Sequence, residues 1–466
     1  MTAHDPSEGQ LKVSYSGVRG VYGRSLTLDV AARFAHAFVQ LISARREEPL
    51  IVLGKDTRPS GPALKQAVLR GLGQEPCRVV DIRVVPSPTI QVMMRHERAD
   101  GGVIITASHN PPGWNGFKFL TGPHDIVLDA EQTDELFRLS SRTTLTYDPA
   151  NAVPPTREAH HEALRIHVDR VLEQVDAALI RPRRFRVALD AAQGAGEAAG
   201  TEVLQRLGCE VVPVEVERAS EPTAENLAAL CQEVSLHGCA VGFAQDLDAD
   251  RLILVSEEGE FTGEETTLAL AVKHLLDRTA GRQPTVVRNS STSRMIDDLA
   301  EAAGAELVEA RVGEVNLSKA MLEAEARGRV AFGGEGNGGV IYPPVCHGRD
   351  SLSAMALMLE LMAASGRSVS DLVAGLPRYA IRKAKVEGID RSEMALLVEA
   401  LREKYAREDV SLADGLKVRF ADRTWLQVRP SNTEPIVRLT TESPFPKRAG
   451  DLMAELLAEA KPYVGE

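Results

Sequence analysis

Apolar residues in this chain fall into short continuous runs separated by stretches where they recur every three or four positions, and that order repeats. The runs read as buried strands and the stretches as helices packed on one face. After a helical stretch from about Leu28 to Arg46, marked by Val30, Phe34, Phe38 and Leu41, Leu50-Ile51-Val52-Leu53 predicts a strand. A polar loop at Gly54 to Arg58, a helix from Ala63 to Leu72, Gly73 and a strand around Val79 to Val85 complete the unit. A second copy runs from Phe185 to Leu189 through a loop at Asp190 to Gly196, a helix through Val203, Leu204 and Leu207, Gly208 and a strand at Val211 to Val216. The third has Thr285-Val286-Val287, a loop at Asn289 to Ser293, a helix through Ile296, Leu299 and Ala300, Gly304 and Leu307-Val308.

Each copy is followed, about 45 to 55 residues after its first strand, by a further strand ending in a distinctive loop. Those loops are Ser108-His109-Asn110, Asp246 to Arg251, and Gly334 to Gly339. Beyond Leu376-Pro377, strands near Ala380–Val386, Leu416–Phe420 and Trp425–Val428, with helices at Met394–Tyr405 and Lys447–Ala460, form a smaller α+β unit. The predicted architecture is three similar mixed-sheet α/β domains with a smaller C-terminal α+β domain around a central cleft, divided at 1–152, 153–258, 259–372 and 373–466.

A chain of 466 residues is long enough for several cores. Its net charge of -12 argues against nucleic-acid binding and requires a local basic cluster to attract any anionic substrate. Five cysteines without a CxxC spacing predict free thiols and no zinc site. No signal pattern or membrane-spanning run is present, so the expectation is a cytoplasmic protein with no membrane partner. Oligomeric state is not legible.

Four segments carry chemistry. In Thr106 to Lys118, a turn stiffened by Pro111 and Pro112 holds Ser108 beside His109, with Lys118 returning nearby. That pattern fits an activated nucleophile, and equally a surface turn. In Asp246-Leu247-Asp248-Ala249-Asp250-Arg251, alternating carboxylates suit magnesium or calcium, the alternative being a solvated acidic turn. Arg251 at the position that needs glycine excludes an EF-hand. In Gly333 to Gly339, Glu335 and Asn337 can bond sugar hydroxyls, though glycine-rich turns are common. Arg429-Pro430-Ser431-Asn432-Thr433-Glu434-Pro435, with Arg438 beyond, fits a phosphate cradle or a capped turn.

Together and in this order, with Ser16-Gly17-Val18-Arg19-Gly20 ahead of them, the four segments resemble the α-D-phosphohexomutases over essentially the whole chain. The resemblance implies that Ser108 is a phosphoserine and that one Mg²⁺ is held by its phosphate with Asp246, Asp248 and Asp250. It places Arg19 and Arg251 near the phosphoserine and gives His109 and Lys118 acid/base or supporting roles. Glu335 and Asn337 would read the sugar, and Arg429, Ser431, Asn432, Thr433 and Arg438 would grip the phosphate that is not transferred. The implied reaction interconverts hexose 6-phosphate and 1-phosphate through a sugar 1,6-bisphosphate, which also serves as activator, and uses a mobile fourth domain. The EGNGG loop with RPSNTEP looks most like the archaeal-type phosphoglucosamine mutase and phosphomannomutase branch.

Two positions depart from the family. Asn337 and Gly339 stand where many members have serine and histidine, which leaves one acid/base role to His347 or Arg349. Leu247 and Ala249 stand where glycines are common. The rival classes are a metal-dependent serine phosphatase, which would not need the RPSNTEP loop, and a non-catalytic sugar-phosphate binder, which would not need Ser108, the three aspartates and Lys118.

Overall fold

The computed structural model describes residues 10–14, 17–44, 46–430 and 436–464, the side chain of residue 391 excepted. Among these residues the strands form four sheets, and three share one plan. In the first, Leu50–Lys55 lies between Arg78–Val84 and Gly101–Ile105, both parallel to it, and Trp114–Thr121 closes antiparallel. Arg186–Asp190 is flanked in the same way by Glu210–Pro213 and Val241–Gln245, with Leu252–Val255 antiparallel. In the third, Pro284–Asn289 lies between Glu306–Ala310 and Val330–Glu335, with Gly339–Ile341 antiparallel. Each distinctive loop joins the third strand to the fourth, so the repeat puts all three at the same place in their sheets.

The first sheet continues through Gly17–Val21 and Lys12–Ser14 on one side and Thr156–Glu158 on the other. The last of these lies beyond residue 152, so the first sheet runs past the division expected from the sequence.

Local chemistry explains the strand that delivers Ser108. All five residues of Gly101–Ile105 are buried. A Cβ at Gly101 would stand 2.8 Å from Phe38, and one at Gly102 would stand 2.4 Å from the Met94 sulfur. The two glycines therefore let helices Leu28–Ser43 and Ser87–Glu97 close onto the strand.

One hydrophobic cluster runs through all three copies, from Val52 to Leu376. At its centre helix Ser351–Ser365 is buried from Ser351 through Ala363, apolar on every side rather than on one. Polar bonds inside this mass fix the copies together: Thr89 Oγ1 lies 2.9 Å from His167 Nδ1, and His167 Nε2 lies 3.2 Å from Asp350 Oδ2.

The fourth domain has a core of its own. Its five-stranded antiparallel sheet packs Leu416, Val418, Leu426 and Val428 against helices Arg391–Lys404 and Pro446–Ala460. The sheet's other side meets the third copy through polar groups. Lys417 Nζ donates to the Ser290 carbonyl at 2.5 Å, Ser291 Oγ to Gln427 at 2.6 Å, and Ser290 Oγ to Asp414 at 2.7 Å. A joint of this kind lets domains move more readily than a shared apolar core does. Among the described residues no helix is long and apolar enough to cross a membrane.

Candidate active site

Ser108 sits where the chain reverses between strands Gly101–Ile105 and Trp114–Thr121. Its φ of 50° is in the left-handed region, a conformation that costs a non-glycine residue about 1 kcal/mol or more and persists only when its surroundings hold it. They do. The Ser108 N–H donates to Thr106 Oγ1 at 2.8 Å, and its carbonyl accepts from Arg58 Nη2 at 2.7 Å. The buried Arg58 guanidinium also donates to the carbonyls of Asn110, Pro111 and Trp114, so it clamps the turn from inside. The prolines alone do not make this turn rigid. The Ser108 hydroxyl donates to Asp246 Oδ2 at 3.2 Å.

The acidic loop meets it from the second sheet. Asp246, Asp248 and Asp250 are buried, with one carboxylate oxygen of each within 4.8 Å of the others. Asp246 Oδ1 accepts from the N–H groups of Asp250 and Arg251. Asp248 Oδ2 accepts from Ser87 Oγ at 2.6 Å and Lys118 Nζ at 3.0 Å, and Asp250 Oδ2 from Lys118 at 3.2 Å and Arg349 at 2.5 Å. The remaining oxygens, Asp248 Oδ1 and Asp250 Oδ1, are buried without a hydrogen-bond partner.

Buried unpaired carboxylate oxygens are costly. Two of them in an all-oxygen donor set are what a hard divalent cation satisfies. Ala249, at φ 55°, accepts backbone strain where a glycine would not, yet the three carboxylates still converge.

The charges here hold one another. Burial, then the charges of Asp250 and Asp248, push the Asp246 carboxyl well above the usual range. At Asp248 and Asp250 burial acts the same way but is outweighed by nearby cations, Lys118 foremost at Asp248 and Arg349 at Asp250, and both carboxyls are lowered. Burial likewise opposes the Lys118 charge but loses to Asp248 and Asp250, so its ammonium is raised. His109 differs: the Arg251 guanidinium, 3.1 Å from its Nδ1, and then burial lower it well below the usual imidazole value, so the ring stays neutral. Arg19 Nη1 donates to Asn110 Oδ1 at 2.7 Å, which sets it across the same turn.

The third loop leaves strand Val330–Glu335 through Gly336 to Gly338. A Cβ at Gly336 would stand 1.8 Å from Glu265 Oε2, so a larger residue there would have to displace that carboxylate. Glu335 Oε1 accepts from Asn289 Nδ2 at 3.0 Å and its Oε2 from Arg349 Nη1 at 2.6 Å. Burial acts to raise Glu335, but Arg349, Arg251 and the Asn289 hydrogen bond together outweigh it and hold the carboxyl below its ordinary value. Asn337 Oδ1 accepts from the Gly339 N–H at 3.2 Å.

A cleft of about 730 Å³ brings the pieces together. Arg19, His109, Lys118 and Arg251 line it from the first two domains, Glu335 and Asn337 from the third, and Arg429 and Arg438 from the fourth. Arg429 Nε is buried without a partner among the described residues. Ser108 and the three aspartates are more deeply buried and lie behind this lining. Ser431, Asn432 and Thr433 lie outside the described residues.

Models of the four phosphoglucomutase/phosphomannomutase domains match in order: alpha/beta/alpha domain I over residues 10–145, II over 165–259, III over 263–379, and the C-terminal domain over 383–460. The chain belongs to the phosphoglucomutase/phosphomannomutase family. It is 35% identical over 457 residues to a phosphoglucomutase/phosphomannomutase of Thermococcus kodakarensis, covering 95% of this chain and 98% of that one. A probable phosphoglucosamine mutase of Methanopyrus kandleri is 34% identical over 458 residues, 95% and 96% of the two chains. The fold matches that of a phosphoglucomutase/phosphomannomutase family protein from Burkholderia thailandensis with a TM-score of 0.82 at 24% identity, over 99% of each chain. This chain is therefore a phosphohexomutase, with an aspartate triad able to hold a metal ion.

Within that phosphohexomutase frame, His347 and Arg349 separate clearly. His347 Nδ1 accepts from Arg95 at 2.8 Å and its Nε2 pairs with Glu325 at 2.9 Å, on residues outside the cleft lining. His347 is thus set apart from the cleft lining. Arg349 does line the cleft. Burial opposes its charge, but Asp250, Glu335 and Glu314 outweigh burial and hold the guanidinium protonated. Arg58, Glu314 and Asn289 are site residues that motif reading missed, and Arg349, weighed there only for an acid/base role, is an ion-pair partner of the acidic and sugar loops. Arg58 lies in the loop after the first strand of its copy and Asn289 is the last residue of the first strand of its own, and that near-equivalence was the available signal.

Proposed function

We propose that this phosphohexomutase interconverts hexose 6-phosphate and 1-phosphate through a phosphoserine at Ser108 and a 1,6-bisphosphate intermediate, with glucosamine phosphate as substrate. One observation carries the reading. The Ser108 hydroxyl lies 3.2 Å from Asp246, beside two unpartnered carboxylate oxygens, at a cleft that basic residues of the fourth domain also line. Mg²⁺ held by Asp246, Asp248, Asp250 and the Ser108 phosphate would neutralise phosphoryl oxygens as charge shifts during transfer.

In the first half-reaction a sugar hydroxyl oxygen bonds to phosphorus while the bond to Ser108 Oγ breaks. His109 and Lys118 serve the proton movements, and Arg19 and Arg251 balance the charge of the transferring group. Glu335 and Asn337 hold the sugar hydroxyls. Arg429, Ser431, Asn432, Thr433 and Arg438 grip the phosphate that stays on the sugar. The bisphosphate then turns and returns its other phosphoryl group to Ser108, so added sugar 1,6-bisphosphate acts as activator. Each part of the chain supplies one loop of this site, and the polar joint of the fourth domain supports the opening that turning requires.

A second reading, mannose or glucose phosphate as substrate, is favoured by the name of the Thermococcus kodakarensis relative. Phosphorus NMR distinguishes them. The protein is incubated with Mg²⁺, a trace of sugar 1,6-bisphosphate, and glucosamine, mannose or glucose 6-phosphate in separate tubes. A 1-phosphate signal growing fastest from glucosamine 6-phosphate is expected. Fastest growth from another sugar selects the second reading, and release of inorganic phosphate without a 1-phosphate makes the chain a phosphatase.

A further inference from the structure

Gly339 opens the strand that follows the sugar loop, and its backbone is not in the left-handed region, so its conformation does not demand glycine. A Cβ there would stand 2.3 Å from Arg349 Cδ and 3.0 Å from both Arg349 Cγ and Asn337 Oδ1. The main obstacle is the stem of one side chain. Such a stem ordinarily swings aside for a methyl group, but this one is fixed at both ends. Its backbone folds over the strand through a bridge between Ile341 and Arg349, and the Asp350 N–H donates to the Val340 carbonyl at 2.8 Å. Its guanidinium pairs with Asp250 at 2.5 Å, Glu335 at 2.6 Å and Glu314 at 3.2 Å, carboxylates from three separate segments. Every edge of the planar fork is engaged.

We propose that Arg349 is a positioning residue of the mutase reaction: it fixes Glu335 of the sugar loop against Asp250 of the acidic loop, and Gly339 is glycine because the Arg349 stem fills the room beside it. The positioning half rests on the function proposed above. The packing half does not.

Two readouts on one set of variants test both halves. Gly339→Ala is expected to lower the melting temperature of the wild-type protein and to lower it less, or raise it, in an Arg349→Ala background. Equal shifts in both backgrounds overturn the packing half. For positioning, kcat and KM for glucosamine, mannose and glucose 6-phosphate are measured at room temperature on variants shown to be folded by circular dichroism. Arg349→Ala is expected to cost about 100-fold in kcat/KM on the sugar that wild type turns over fastest, the loss typical of a reacting group displaced by about 1 Å. Arg349→Lys, which keeps the charge without the fork, should recover part of that loss. A folded Arg349→Ala enzyme with wild-type kcat/KM, whatever its melting temperature, overturns the positioning role. Arg349→Gln replaces it in the comparison if the alanine variant does not fold. Wild-type protein that turns over no hexose phosphate defeats the proposed function and the positioning half with it, while the melting cycle still decides the packing.

Discussion

Glu265 is a carboxylate that the fold keeps at a cost. It lies against Gly336 of the sugar loop, 7% exposed, with Oε2 accepting from the Ser293 N–H at 3.0 Å. Its Oε1 has no hydrogen bond, and Lys383, itself 42% exposed, comes only to 3.4 Å. Burial pushes the group up to about 7 from an ordinary 4.5; Lys383 and the Ser293 N–H act against the rise, and Glu442 adds to it. An acid raised on folding binds its proton more tightly in the folded state. Its stabilising contribution is therefore complete below about pH 4.5 and is lost as the pH rises through 7.

The shift from 4.5 to about 7 corresponds to roughly 3 kcal/mol at alkaline pH, at about 1.4 kcal/mol per pH unit. Glu265→Gln keeps an oxygen for the Ser293 N–H, and the pull of the partly exposed Lys383 on the charged form is already contained in the net rise. The variant should therefore be more stable than wild type by roughly 3 kcal/mol at pH 8 and indistinguishable from it near pH 4.5. Melting curves of both proteins across that range, in buffers of equal ionic strength, give the difference directly. A melting-temperature gap that is constant with pH, or that closes as pH rises, refutes the reasoning.

Other outcomes follow from the same geometry. Ser108→Ala should reduce turnover to background with little change in melting temperature, and intact-mass analysis after incubation with a sugar bisphosphate should find a phosphoryl group on wild type only. Asp246→Asn should abolish mutase activity yet raise the melting temperature in EDTA increasingly as the pH is raised, because burial and two neighbouring aspartates disfavour the charged form that Asn cannot take; a melting-temperature gain that shrinks as the pH rises contradicts that account. Mg²⁺ at about 100 times its dissociation constant should stabilise wild type by about 2.7 kcal/mol. Calorimetry with Mg²⁺ alone should show much weaker binding to Asp250→Asn, and unchanged binding would remove Asp250 from the metal site.

Much of this architecture was legible because it repeats. The order of short apolar run, loop and amphipathic helix exposed three equivalent units, and the sharpest motifs fell in the loop after the third strand of each. Elements without a pattern of their own stayed hidden. Helix Ser351–Ser365 is apolar on all sides because three domains pack around it, so no period marks it. Strand Trp114–Thr121 is wholly buried, but Asn115, which donates to Ser60 Oγ, and Lys118, which donates to Asp248, interrupt its apolar run.

Arg58 as a site residue, and the ion-pair role of Arg349, stayed hidden because their meaning lies in distant partners. Arg58 clamps the carbonyl of a residue 50 positions away, and Arg349 pairs with Asp250 across 99 positions. Neither has a local signature, since an isolated arginine in a loop is ordinarily a solvated one. Gly339 shows the same limit from the other side. Among the glycines of its loop it looks like one more turn residue, whereas Gly333 and Gly334 need glycine for their positive φ and Gly339 does not. What demands glycine there is the packed stem of Arg349, ten residues on, held by carboxylates from three other segments. A sequence pattern records the geometry a residue imposes on its own backbone. It does not record room that a residue leaves for another, and in this site the acidic and sugar loops meet through such room.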